Sequence, residues 1–180
     1  MVVIAISGPP GSGKTTQAVK IAEYLGLRYF SAGKLFREIA AKRGVSVEEL
    51  SIQAMRDPSI DFEIDKRTYE EALKGDVVLD GHLAAWIVKD IADVKIYLKA
   101  PLNVRVERIA KRDNVDVYKA LKETLLREYT QWRRYLDYYG IDTNDLSIFD
   151  LVVDAEKLSI DSIFETIRLF IEKILKSKQE

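Results

Sequence analysis

The chain of 180 residues contains no cysteine, which excludes disulfides and thiolate metal sites and suits a reducing compartment. It has no apolar run long enough to cross a bilayer, and its first residues read as a buried strand rather than a signal peptide. Charge of one sign is missing as well: 28 Lys and Arg against 29 Asp and Glu leave a net charge of −1. No global field therefore recruits nucleic acid or a membrane surface. There is no internal repeat, linker or low-complexity tract. What remains, 47% hydrophobic and 32% charged residues, is the composition of one globular domain over 1–180 with its own buried core. A cytoplasmic monomer is expected.

The most informative stretch is Gly8-Pro9-Pro10-Gly11-Ser12-Gly13-Lys14-Thr15-Thr16. It follows an apolar run from Val2 to Ile6 and opens a helical pattern from Gln17 to Leu25. Strand, glycine loop and helix thus come in the order a phosphate-binding loop requires. Glycines at 8, 11 and 13 let the backbone wrap a polyphosphate, and the helix N-terminus offers free N–H groups and a positive dipole end. Lys14 would reach the β- and γ-phosphates of a bound ATP, and the Thr15 hydroxyl would hold Mg²⁺. An ordinary strand-to-helix turn is the bland alternative.

Apolar runs at 2–7, 27–30, 76–79, 94–98 and 150–153 alternate with helical patterns at 13–25, 33–44, 47–56, 61–74, 83–90, 102–112, 116–139 and 160–176. The alternation predicts an α/β fold, a five-stranded parallel sheet with helices on both faces. Ser46 and Glu49 make a capping box. Pro58 and Pro101 stand at helix starts, and Gly26, Gly44, Gly75 and Gly140 just past helix ends. The crossover between the second and third strands carries three helices where one would suffice, so an insertion is built at about 32–75. The short polar segment 112–120 is a candidate flap.

A phosphate loop alone serves many enzymes, so other features must discriminate. The strand 76–79 runs into Asp80 and Gly81; a carboxylate at that strand end can orient water on Mg²⁺, or be an acidic turn residue. No guanine-reading tetrapeptide and no transport-ATPase signature loop is present. Six of the twelve arginines lie between 105 and 134. Arg105, Arg108 and Arg112 share one helix face, as do Arg127, Gln131 and Arg134. Arginine forks bind phosphate oxygens and stabilise a transferring phosphoryl group. The alternative is solvated helix faces with local ion pairs.

These segments resemble the nucleoside monophosphate kinases, and among them the archaeal cytidylate kinases. The resemblance runs through the glycine loop, Ser31-Ala32-Gly33-Lys34-Leu35-Phe36-Arg37-Glu38, Ile60-Asp61-Phe62-Glu63-Ile64-Asp65-Lys66-Arg67, Asp80-Gly81-His82-Leu83-Ala84-Ala85-Trp86, Tyr139-Gly140-Ile141-Asp142 and 145–152. It covers nearly the whole chain and implies a helical monophosphate-binding insertion and a lid at about 112–120. By position, Lys14 is the phosphate lysine, with Gly8 to Thr16 cradling ATP and Thr15 and Asp80 on Mg²⁺. Arg37 grips the acceptor phosphate, Arg108 and Arg112 begin the lid, and Arg127 and Arg134 follow it. The resemblance places the acceptor near Ala32, Gly33, Asp61, Asp65, Asp80, Gly81, His82 and Gln131, and the donor adenine near Arg108 and residues 155–157.

The implied reaction is ATP plus CMP, and also dCMP, giving ADP plus the diphosphate. Cytosine's N4 amino group is a donor, so Asp61 or Asp65 is a suitable acceptor, whereas uracil offers O4 to a repelling carboxylate. Three positions depart from the family pattern. Lys34 stands where Asp is common, and Gln131 where bacterial members carry an Asp on the sugar. His82, the only histidine, replaces a phosphate-clamping arginine; it is expected to be part-charged near neutrality on phosphate, or else to cap the next helix. A kinase for UMP, AMP or mixed monophosphates stays open, as does a regulatory nucleotide-binding module without transfer activity.

Overall fold

The computed structural model describes residues 1–178. Strands β1 (Val3–Ser7), β2 (Arg28–Ser31), β3 (Val77–Asp80), β4 (Val94–Lys99) and β5 (Leu151–Asp154) form one parallel sheet in the order β2-β3-β1-β4-β5. β1 is buried at every position, which is why it is apolar throughout rather than alternating. On one face Ile4, Ile6, Ile96 and Leu98 pack against Ile21 of α1 (Lys14–Leu25) and Ile167 and Ile171 of α8 (Ile160–Ser177). On the other, Val3, Ala5 and Leu79 meet Ala72 of α4 (Ser59–Leu73) and Ala84 and Ala85 of α5 (Ala84–Ile87).

Between β2 and β3 the chain builds α2 (Ala32–Arg43), α3 (Val47–Ala54) and α4. These helices have a core of their own, Ile39, Leu50, Ile60 and Ile64, so the crossover is a compact unit with its own packing. The Ser46–Glu49 capping box forms in full. It holds the start of α3 by satisfying donors the helix cannot.

One expectation is corrected. The helix anticipated over 83–90 is a four-residue helix that relaxes into turns before β4; Val88 leaves helical geometry while its side chain stays in the core. The segment 112–120, expected as a flap, is the short junction between α6 (Leu102–Asp113) and α7 (Val117–Tyr139). Asn114 takes the left-handed conformation (φ 53) that ends α6, a geometry asparagine tolerates. Asp116 then caps α7 by accepting from the Lys119 N–H.

The register of the sheet places the chemistry. Asp80 pairs with Ile6 on one side and with Ser31 on the other. It therefore lies between the strand that enters the glycine loop and the strand that enters α2.

Candidate active site

The glycine loop turns tightly against the rest of the sheet end. A Cβ on Gly8 (φ 148) would lie 2.2 Å from the Leu98 carbonyl oxygen, and one on Gly11 (φ 79) would lie 2.7 Å from that of Arg105. Both glycines are thus required by close backbone approach as well as by conformation. Arg105 buttresses the loop from behind: its guanidinium donates to the Pro10 and Ala100 carbonyls and pairs with Glu128 of α7. The three-arginine face read on α6 therefore divides, with Arg105 a buried brace and only Arg108 and Arg112 turned to the site.

In front of the loop opens a cavity of about 950 Å³, within the range that encloses ligands of nucleotide size. The loop from Pro10 to Thr16 lines it, together with Lys14, Arg37, Arg108, Arg112, Arg127 and Arg134. So do Ala32, Gly33, Asp61, Asp65, Asp80, Gly81, His82 and Gln131. Of the residues singled out in the sequence, Gly8, Pro9, Glu156 and Lys157 do not line it. The Pro9 carbonyl accepts from Lys14 Nζ at 3.4 Å.

Asp80 is the best-held acid of the site. Its Oδ2 accepts from Thr15 Oγ1 (2.7 Å), Tyr29 OH (2.9 Å) and Ser31 Oγ (3.2 Å). Its Oδ1 is buried with no hydrogen-bond partner. Three donors on one oxygen hold the carboxyl in place and leave the other oxygen's lone pairs uncommitted. Among the described residues no group of three or more His, Cys, Asp or Glu is arranged around a metal. A cation here would take Thr15 and Asp80 from the protein and the rest of its shell from water and phosphate, as Mg²⁺ does. The residues present fit that mode of binding.

Several cations face the cavity together. Burial lowers the Lys14 pKa to about 8; Asp80 opposes the shift, and Arg127, Arg112 and Arg37 add to it. Burial also lowers the pKa of Arg127, whose Nε is buried without a partner. A buried, unpartnered guanidinium nitrogen beside a lowered lysine is costly unless phosphate oxygens fill the space. Arg112 is meanwhile held by its neighbour Asp113 through two bonds of 2.7 Å.

Other expected residues sit in arrangements the sequence did not show. Arg134 is not free to meet a transferring phosphoryl group. It is buried, donating to Asp61 through Nε (2.7 Å) and Nη2 (3.4 Å) and to the Ser51 carbonyl. Asp65 instead accepts from Tyr139 OH, and burial raises its pKa to about 7 despite that bond. Arg108 donates to the Ala155 carbonyl at 2.6 Å, beside the β5–α8 segment whose Leu158, Ile160 and Ile163 give the cavity an apolar end.

His82 and Gln131, read as two separate departures, are partners: His82 Nδ1 lies 3.0 Å from Gln131 Oε1. The ring also meets Tyr135 edge-on at 5.7 Å. Burial lowers the His82 pKa to about 4, with Lys14 and Arg127 adding to the effect against the Gln131 bond. The imidazole is therefore neutral at neutral pH, contrary to the part-charged clamp expected. Lys34 is exposed and 4.0 Å from Glu38, a solvated surface charge. Sequence reasoning missed Tyr29, the cavity-lining Phe36 and the Arg105–Glu128 brace; the adjacency of β2 and β3 was the one signal pointing to Tyr29.

A glycine loop on the central strand of this sheet order, an acid on the neighbouring strand and a ring of arginines define a P-loop kinase. The chain's likeness to shikimate kinase from Acinetobacter baumannii in complex with shikimate agrees on the fold, with a TM-score of 0.61, 16% identity and coverage of 100% of this chain and 96% of that one. Residues 3–157 match the model of the cytidylate kinase-like family, and the chain belongs to that family. It is 68% identical over 176 residues to the cytidylate kinase of Staphylothermus marinus, covering 98% of this chain and 99% of that one. To the cytidylate kinase of Desulfurococcus amylolyticus it is 59% identical over 179 residues, covering 99% and 97%.

Proposed function

We propose that the protein transfers the γ-phosphoryl group of ATP to CMP, and also to dCMP, giving ADP and the nucleoside diphosphate. The carrying observation is the single cavity that joins the lysine loop and the apolar β5–α8 end to the carboxyl-bearing helices of the insertion. Relatives named cytidylate kinase, at 68% and 59% identity over nearly the whole chain, support the choice of acceptor.

The acceptor phosphate is a dianion above a second pKa near about 6, so its oxygen attacks without a strong general base. The bond from γ-phosphorus to the ADP oxygen breaks as the bond to the CMP oxygen forms. Catalysis is alignment and charge neutralisation. Lys14 and Arg127 hold the phosphoryl oxygens, Arg37 holds the acceptor phosphate, and Arg112 joins them on leaving Asp113. Mg²⁺ held at Thr15 and Asp80 would supply positive charge to the phosphates. Lid movement of the α6–α7 junction excludes water from the reacting groups.

Base choice falls to Asp65, because Asp61 is already engaged by Arg134. The carboxyl of Asp65 accepts from the cytosine N4 amino group. Uracil in its place leaves that contact unmade, a loss of about 1–3 kcal/mol. An ADP-release assay with ATP–Mg²⁺ and CMP, dCMP, UMP and AMP in parallel tests the reading. Fast release with CMP and dCMP is expected. Preference for UMP or AMP would transfer the assignment to those acceptors, and release that no monophosphate accelerates would leave a nucleotide-binding module.

A further inference from the structure

Arg105 is buried and takes no part in the cavity wall, and each of its side-chain nitrogens already has an acceptor. Nε donates to the Ala100 carbonyl (2.8 Å), Nη1 to the Pro10 carbonyl (3.1 Å) and to Glu128, and Nη2 to the second Glu128 oxygen (3.5 Å). A guanidinium so committed has no nitrogen left for a phosphate. What it holds instead is one peptide of the glycine loop.

In a planar trans peptide the C=O of one residue and the N–H of the next point in opposite directions. With the Pro10 carbonyl turned to Arg105, the Gly11 N–H is turned away from it, toward the cavity that Gly11 lines. That N–H donates to no backbone carbonyl. It is also scarce. Pro9 and Pro10 carry no N–H, and the Ser12 N–H is already given to the Pro9 carbonyl (3.2 Å). Of residues 9–12, Gly11 alone has a backbone donor free for an anion. The same peptide is the easiest in the loop to turn over. A flip changes the ψ of Pro10 and the φ of Gly11, and glycine accepts either sign of φ. Flipped, the loop would aim the Pro10 carbonyl, the wrong end of the dipole, at phosphate oxygens.

We propose that Arg105, held by Glu128, is a positioning residue that locks the Pro10–Gly11 peptide with its N–H facing the polyphosphate. The inference rests on the reading that the phosphates of ATP lie in this loop. The backbone of Arg105 serves the same end, since it fits against Gly11 so closely that a Cβ there would lie 2.7 Å from its carbonyl oxygen. Glu128 stands next to the cavity-lining Arg127 on α7. The turn of α7 that presents a cation to the phosphates therefore also sets the lock behind them. A planar fork can meet Ala100, Pro10 and Glu128 together, which the single nitrogen of a lysine cannot.

The test follows the loop amides of the full chain by proton–nitrogen correlation NMR during titration with Mg²⁺ and tripolyphosphate, which offers the phosphates without a base. In the wild-type chain the Gly11 and Gly13 amide protons should both shift on binding. In Arg105→Met the Gly13 response should remain and the Gly11 response should be lost. The dissociation constant should rise roughly tenfold or more, as for one hydrogen bond to a charged group. Glu128→Gln changes a part-exposed side chain and serves if Arg105→Met does not fold; it should weaken the Gly11 response alone, with a smaller rise in the same constant. A purely structural role would lower the unfolding temperature and leave both glycine responses as they are. Wild-type binding without a Gly11 response, or a response and constant unchanged in the folded variants, would overturn this proposal alone. A wild-type chain that binds neither tripolyphosphate nor ATP would overturn it together with the reading it rests on.

Discussion

Arg134 of α7 holds Asp61 of α4 across the acceptor side of the site, with Nε 2.7 Å from Oδ2 and both side chains buried. The pair ties the helix that carries Arg127 to the insertion that carries Asp65. The Arg134 bond to the Ser51 carbonyl and the Tyr138 bond to the Ala54 carbonyl extend the tie to α3.

Removing one member of the pair should cost far more than removing both. Asp61→Ala strands a buried guanidinium, and a loss of about 3–5 kcal/mol is expected. Asp61→Ala combined with Arg134→Met should recover part of it. Denaturant unfolding of both single variants and the double variant measures the coupling. Additive losses would show that the two groups do not depend on each other.

Asp65 gives the protein a distinctive pH response. Its folded pKa of about 7 lies above the ordinary carboxyl value of 3.8, so between those values the folded state binds a proton that the unfolded state has released. Its contribution to stability is complete below about pH 4 and is lost as pH rises toward about 7. Asp65→Asn should flatten that part of the stability curve, measured by thermal unfolding at a series of pH values. An unchanged slope would contradict the raised pKa.

Tyr29 is one of three donors on the same oxygen of Asp80. Tyr29→Phe should leave the fold intact and raise the Mg²⁺ concentration for half-maximal rate by roughly tenfold, the lower range for losing such an outer contact. The Mg²⁺ dependence of ADP release at saturating nucleotides measures it. An unaltered dependence would show that Thr15 and Ser31 suffice to aim the carboxylate.

The glycine loop, the sheet and the insertion were legible in the sequence because each rests on local rules. Glycine spacing, apolar runs and the Ser46–Glu49 box act within a few residues of themselves. The arginines were legible as a group, but their division was not. Arg105 joins Glu128 across 23 residues and Arg134 joins Asp61 across 73, and helical spacing says nothing of what stands opposite. His82 and Gln131, 49 apart, each looked anomalous because the compensating partner was out of view. The segment 112–120 was legible as short and polar, but not that Asn114 is a helix stop and Asp116 a helix cap, roles that depend on the helices on either side.

Lys14 carries the most concentrated claim about catalysis. Lys14→Ala should lower kcat on the order of 10³-fold with little change in unfolding temperature, as loss of a phosphate-stabilising cation does. A fall of less than tenfold in a folded variant would remove Lys14 from the mechanism.

The most direct measurement is a phosphorus NMR time course of the protein with ATP, Mg²⁺ and CMP, with Lys14→Ala as the control. The account predicts that CMP and ATP signals fall together while CDP and ADP rise in equal amounts, and that the control stays flat. ATP loss yielding inorganic phosphate with no CDP would contradict it.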